Sequence, residues 1–196
     1  MLHAFIIMEK ISHRRHGGKH EHLDQFNQRS SDTVSVESMG LTNPKPIVVA
    51  ARGPRSLPVL EKILHEVDTD VRDVVVITCK VLPQMTVGVT DAEREINDSD
   101  RELLTRIVKV AEDVGKQVYP LVLPTNNPLY AICTAARDLK ATEVVLGVSQ
   151  QIHAEEQLEQ FAMAWGSATA NVGAELIGEM TVRIIGPQLE MKYDME

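Results

Sequence analysis

Three short segments set a basic residue or a glycine directly after an apolar run: Arg52-Gly53-Pro54, Lys80-Val81 and Gly147-Val148-Ser149. Where such a run is a strand and the next segment a helix, the turn between them exposes unpaired helix N–H groups. Those groups favour an anion through both their donors and the helix dipole, and Arg52 and Lys80 reinforce that polarity. The chemistry implied is binding rather than bond-making. Ser149 and Ser167 lack an adjacent base held by a third group, and His65 and His153 have no recognisable partner motif. The acidic pairs Glu155-Glu156 and Asp98-Asp100 suit the first turns of helices. No catalytic constellation is expected, so the chain reads as a non-enzyme. His13, His16, His20 and His22 include spacings of three and four, but Gly17-Gly18 interrupts any helix that would align them, and no metal site is expected.

The elements that must carry these loops begin at Pro46. Ile47 to Ala51 is apolar without alternation, as in a strand covered on both faces. Ser56 and Pro58 suit a helix start, and Leu60, Ile63, Leu64 and Val67 recur at helical spacing. A second strand spans Val74 to Cys79. Ser99 and Glu102 have capping-box spacing ahead of a helix with a stripe from Leu103 to Val114, which Gly115 closes. Val118 to Leu123 is a third strand; Asn127 and Pro128 then start a helix with Leu129, Ile132, Cys133 and Ala136 on its apolar face. Glu143 to Val148 is a fourth strand, Leu158, Phe161, Ala162 and Trp165 mark a fourth helix ending before Gly166, and Thr181 to Ile185 is a fifth strand. Strict alternation of five strands with four helices predicts a doubly wound α/β domain on a five-stranded parallel sheet. In such a sheet the ligand crevice lies at the carboxyl ends of the strands. The fifth strand is expected to be an open edge at which Val182, Ile184 and Ile185 pair with a second copy, giving a homodimer.

Composition narrows the classes. With 196 residues, 43% hydrophobic and 24% charged, the chain fits one domain plus a modest extension. Cys79 and Cys133 sit far apart in apolar runs, which predicts reduced thiols and a cytoplasmic setting. A formal charge of −8 disfavours nucleic acid as a partner. Charge also divides the chain: residues 1–45 are net +1 and hold five of the seven histidines, whereas the remainder carries 14 basic against 23 acidic residues. Residues 1–45 therefore read as an extension with little core, 46–187 as the α/β domain and 188–196 as a tail. The apolar start Ala4 to Met8, followed by Arg14-Arg15, is too short to span a bilayer but suits the cytoplasmic end of a longer membrane helix.

Over 46–187 the order of elements, Gly147 after the fourth strand and the Gly166-Ser167 pair resemble the universal stress protein domain, whose fold is of the adenine-nucleotide alpha-hydrolase-like type. That resemblance implies a nucleotide ligand, ATP or AMP, walled by Arg52, Gly53, Cys79, Lys80, Gly147, Ser149, Gly166 and Ser167. Two positions depart from the family pattern: Gln150 replaces the second glycine of its phosphate loop, and Arg52 replaces the aspartate that usually ends its first strand. Residues 13–18, 22–27, 35–38 and 43–46, with 126–131 and 156–162, are similar to the tails of some bacterial amino acid permeases of the amino acid-polyamine-organocation type. The implied role is a cytosolic regulatory or dimerisation domain of such a transporter. The alternative is a stand-alone universal stress protein binding ATP or AMP, with slow ATP hydrolysis.

Overall fold

The computed structural model describes residues 4–8, 27–31, 34–82, 96–172 and 178–195. Five parallel strands form the centre: β3 (Ile47–Ala50), β4 (Val74–Val81), β5 (Tyr119–Thr125), β6 (Glu143–Gly147) and β7 (Met180–Ile185). Their spatial order is β5-β4-β3-β6-β7, so the winding reverses between β3 and β6. This is the doubly wound α/β sheet expected from the alternation of elements. Helices α2 (Leu57–Glu66) and α3 (Asp98–Asp113) cover one face; α4 (Pro128–Asp138) and α5 (Ala154–Thr169) cover the other together with α1 (Val36–Met39). Successive strand residues feed opposite cores: Ile47, Val49 and Ala51 pack toward α2 and α3, while Val48 and Ala50 pack toward α4 and α5. Burial on both faces is why these strands read as unbroken apolar runs.

Local signals account for most helix ends. Asn127 accepts the Tyr130 N–H at 3.2 Å and Pro128 fills the first position of α4. Gly115, at φ +67°, closes α3 with the Gly115 N–H bonded to Glu112 and the Lys116 N–H to Ala111. Lys140 performs the same task after α4 at φ 53°, a left-handed conformation that usually falls to glycine. The cap of α3 differs from expectation: Asn97 and Asp100, not Ser99 and Glu102, form the reciprocal capping box, at 2.9 and 3.1 Å. Both pairs have the same spacing, and asparagine is as favourable an N-cap as serine, so the sequence pattern alone fits either start.

Three antiparallel strands extend the sheet beyond its parallel centre. β1 (Ala4–Met8) pairs with β5 and with β2 (Asn27–Ser31), so the apolar start forms a strand rather than the end of a membrane helix. Phe5 and Ile6 of this segment pair with Val122 and Leu121, covering the middle of the outer edge of β5. β8 (Glu190–Met195), in the presumed tail, turns back after Gly186-Pro187 and pairs along all of β7. The expected open edge at Val182, Ile184 and Ile185 is therefore covered: these residues are at most 4% exposed and pair with Tyr193, Met191 and Glu190 of the same chain. Beside this hairpin, Arg183 bonds both Glu66 and Glu190, and Lys62 also donates to Glu190.

The extension also contributes to the core. Val34 and Met39 are buried against α4 and α5, and the buried carboxylate of Asp73 accepts the backbone N–H groups of Thr42 and Asn43 at 2.7 and 2.8 Å. Residues 34–45 thus pack as part of the domain. Among the described residues no helix is long and apolar enough to cross a membrane, and no cluster of three metal-ligating side chains occurs. The histidines at 13, 16, 20 and 22 lie outside the described residues.

Candidate functional site

At the carboxyl ends of β3 and β4 the sheet meets the first turns of α3, enclosing a cavity of about 210 Å³. The strand-to-helix turn after β3 supplies one wall through Arg52, Gly53 and Pro54. That turn is tied to itself: the Arg52 N–H donates to Ser56 Oγ at 3.1 Å, and the Ser56 N–H to the Gly53 carbonyl at 2.9 Å. The Arg52 side chain is exposed and bonds none of the described residues. Gly53 has extended backbone, and a Cβ there would meet nothing within 4 Å, so this glycine leaves the mouth open rather than permitting a tight approach.

Thr78 and Cys79 line the floor. Alternation along β4 points Thr78 to the α2 and α3 face, with Val74 and Val76, and Cys79 to the opposite face. Cys79 Sγ lies 3.8 Å from the Pro128 carbonyl, and burial pushes its thiol up to about 12, with Arg52 opposing that shift. A thiol held in that state is not a nucleophile. Thr78 is only 4% exposed, yet its Oγ1 has no hydrogen-bond partner among the described residues. An orphaned buried hydroxyl costs about 1–3 kcal/mol; Thr134 Oγ1, on α4, is likewise without a partner among the described residues.

The third wall is α3, through Ser99, Asp100, Leu103 and, further along, Glu102 and Arg106. The charges here are largely matched: Lys80 lies 4.0 Å from Asp100, which also serves the capping box, and Arg106 bonds Glu102 at 2.6 Å. Arg52 is the cation of this rim not committed to a described carboxylate. The cavity is therefore floored by Thr78 and Cys79, with a guanidinium at the mouth and first-turn groups of a helix opposite.

Of the residues singled out from sequence, Arg52, Gly53 and Cys79 line this cavity, and Lys80 adjoins it through Asp100. Gly147 and Ser149 lie on the separate loop after β6, and that loop is closed by its own helix. Gln157, 3% exposed, accepts the Ser149 N–H at 2.7 Å and donates to the Gly147 carbonyl at 3.0 Å. Arg55 from the β3 turn donates to Gln150 across the reversal of winding. Next to them a Cβ on Gly186 would come within 2.8 Å of Val148 Cγ1, so the turn between β7 and β8 rests directly on this loop. Gly166 and Ser167 do not follow the fourth helix but lie within α5, and Ser167 Oγ bonds back to the Met163 carbonyl at 2.8 Å. At 1.5 Å rise per residue they stand about 18 Å along the helix from its start at the rim, too far to join a site there.

Thr78 and Gln157 are the residues of this region that sequence reasoning missed. Each is a polar residue within an apolar pattern: Thr78 near the end of a β-branched run, Gln157 between Ala154 and Phe161 on the buried stripe of α5. That interruption was the available signal.

No family model matches the chain, and no curated protein matches it. Among solved structures the chain is similar to a universal stress protein from Archaeoglobus fulgidus, at 21% identity over 55% of this chain and 79% of that one, with a TM-score of 0.44. It is also similar to a universal stress protein in complex with cAMP, at 14% identity over 74% of this chain and 98% of that one, with a TM-score of 0.49.

Proposed function

We propose that this chain is a non-catalytic ligand-binding domain whose site is the cavity between the β3 turn, β4 and the first turns of α3. The reading is carried by Arg52, a guanidinium bonded to none of the described residues, at the mouth of a cavity floored by Thr78, whose buried Oγ1 has no partner among the described residues. The ligand class is a small anion-bearing molecule with hydrogen-bonding groups, an adenine mononucleotide such as AMP rather than ATP. Two features support that choice. A volume of about 210 Å³ lies below the roughly 300–1,000 Å³ typical of pockets that engulf a drug-sized ligand, so one moiety is enclosed and the rest lies over the open rim. The loop after β6, which a longer phosphate chain would need, has its Ser149 N–H and Gly147 carbonyl already satisfied by Gln157.

Calorimetric titration with AMP, ATP and cAMP tests this reading, using wild type and Thr78→Val. Heat is expected with AMP and a much smaller response with ATP. Removing the hydroxyl lowers affinity about tenfold or more, while the unliganded protein keeps or gains stability because an orphaned buried group is gone. Silence with all three ligands, or a Thr78→Val variant that loses stability, refutes the site.

The similarity to permease tails supports setting this domain beside an amino acid transporter at the cytosolic face of the membrane. Its ligand then biases transport only through different affinities for two transporter states. A parent reading frame encoding about twelve apolar spans ahead of Met1 fits that setting, and a frame without them refutes it.

A further inference from the structure

Residues 34–45 lead from the N-terminal strands into β3 and meet the amino ends of β3 and β4, at the rim opposite the ligand cavity. Within this stretch α1 closes on itself. Ser35 Oγ accepts the Ser38 N–H at 3.1 Å and Ser38 Oγ accepts the Ser35 N–H at 2.9 Å, a reciprocal cap. At the other end Gly40, at φ 66°, turns the chain so that the Gly40 N–H reaches the Glu37 carbonyl and the Leu41 N–H the Val36 carbonyl. A helix of four residues does not hold together alone in water, so its seat keeps it in place. Met39 is 1% exposed and Val34 4%, both within the core shared with α4 and α5.

The polar ties of the stretch converge on two adjacent side chains at the entry to β4. The buried Asp73 carboxylate accepts the Thr42 and Asn43 N–H groups at 2.7 and 2.8 Å, the Asn43 side-chain amide at 3.0 Å and the Thr42 hydroxyl at 3.4 Å. Arg72 donates through Nε to the Lys45 carbonyl at 3.0 Å, while its other nitrogens bond Thr142 and lie 3.5 Å from Glu143 at the entry to β6. Asn43 adds a weaker bond to the Thr69 carbonyl at 3.5 Å. Lys45 itself stands at φ 57°, directly before Pro46. A left-handed lysine ahead of proline is disfavoured twice, because its Cβ crowds the following carbonyl and the proline ring pushes it toward extended backbone. The bonds to Arg72 and Asp73 hold that conformation against both tendencies.

We infer that residues 34–45 form a strap that opens as one unit about Lys45, with Arg72 and Asp73 as its catch and the core contacts of Val34 and Met39 as its seat. Its described backbone bonds are local or end on side chains, so it leaves without parting any of the parallel strands from the sheet. Opening uncovers the apolar seat beside α4 and α5 and lengthens the link between the N-terminal strands and β3. This inference stands independently of the ligand site.

Native-state hydrogen exchange on the full chain, followed residue by residue at low urea concentrations, tests it. The amides of Met39, Gly40, Leu41, Thr42 and Asn43 are expected to exchange as one group, at least tenfold faster than the central amides of β3 and β4 and with little dependence on urea, since the opening exposes little surface. Asp73→Asn speeds the group tenfold or more, because an amide cannot accept both backbone N–H groups as the carboxylate does. Asn43→Ala, which leaves β4 untouched, speeds it severalfold with the strand amides unchanged. Met39→Cys gives a second readout: its thiol is labelled at the rate of strap opening, and adding Asp73→Asn raises that rate tenfold. A group that exchanges only at the rate and urea dependence of the strands, five amides that exchange separately, or variants that speed the strands as much as the strap overturn the inference.

Discussion

Replacing Gln157 with leucine removes both bonds that hold the loop after β6 while nearly conserving volume. In the wild-type protein its Oε1 accepts the Ser149 N–H at 2.7 Å and its Nε2 donates to the Gly147 carbonyl at 3.0 Å, in a site 3% exposed. Leucine leaves one main-chain donor and one acceptor without partners. Each such group costs about 1–3 kcal/mol, and the apolar gain of the leucine offsets part of that, so a net loss of about 2–3 kcal/mol is expected. For a domain of this size that corresponds to a fall in Tm of roughly 4–12 °C. Urea denaturation followed by circular dichroism measures the loss, and hydrogen exchange locates it at the Ser149 amide. Gln157→Glu separates the two bonds: the carboxylate keeps the acceptor for Ser149 but meets the Gly147 carbonyl without a proton to donate. Burial beside that carbonyl raises its folded-state titration point, so the variant is most stable at low pH and loses stability as pH rises. A Gln157→Leu protein within about 0.5 kcal/mol of wild type, with Ser149 exchange unchanged, refutes the role of Gln157 as the clasp of this loop.

Three further outcomes follow from the same geometry. Burial pushes the thiols of Cys79 and Cys133 up to about 12, so neither reacts with iodoacetamide at pH 8 in the folded protein, and both react after unfolding; rapid labelling of the native state counts against that burial. The bond from Lys62 and those from Arg183 hold the Glu190 carboxyl below its ordinary 4.5. Its contribution is present above that value and lost as pH falls through the folded titration point, so Glu190→Gln gives a flatter acid limb in a stability-versus-pH curve. Lys140→Gly relieves the left-handed backbone at φ 53° and raises stability by about 0.5–1 kcal/mol, the steric relief exceeding the added freedom of the unfolded chain; an unchanged or lower denaturation midpoint refutes it.

The central sheet was legible because burial on both faces leaves a signature that single residues cannot disguise: Ile47–Ala50 and Val74–Val81 are apolar runs of strand length bounded by breakers. β8 was not, although Met191, Tyr193 and Met195 alternate with Glu190, Lys192 and Asp194. A charged alternating segment at a terminus matches a half-exposed strand and a solvated tail equally well, and only the β7 edge decides between them. The same ambiguity hid β1, whose five apolar residues suit either a strand or the stub of a helix. At the rim, Arg52 and Gly53 were found through loop chemistry, which is local. Gly166 and Ser167 were misplaced because a glycine-serine pair does not itself end a helix: α5 runs on to Thr169, with the Ser167 hydroxyl absorbed by the preceding turn. Thr78 and Gln157 draw their meaning from what surrounds them in space, one lacking a partner among the described residues and the other having two.

The absent side chain at Gly186 has a mechanical meaning. With Val148 filling the room that a methyl group would take, the loop beside the reversal of winding and the hairpin that swings the chain into its last strand share one bearing. A shift of either presses on the other without passing through the sheet. A side chain at position 186 would have to push Val148 aside and crowd Leu189, so the hairpin and the loop seat together only across a glycine.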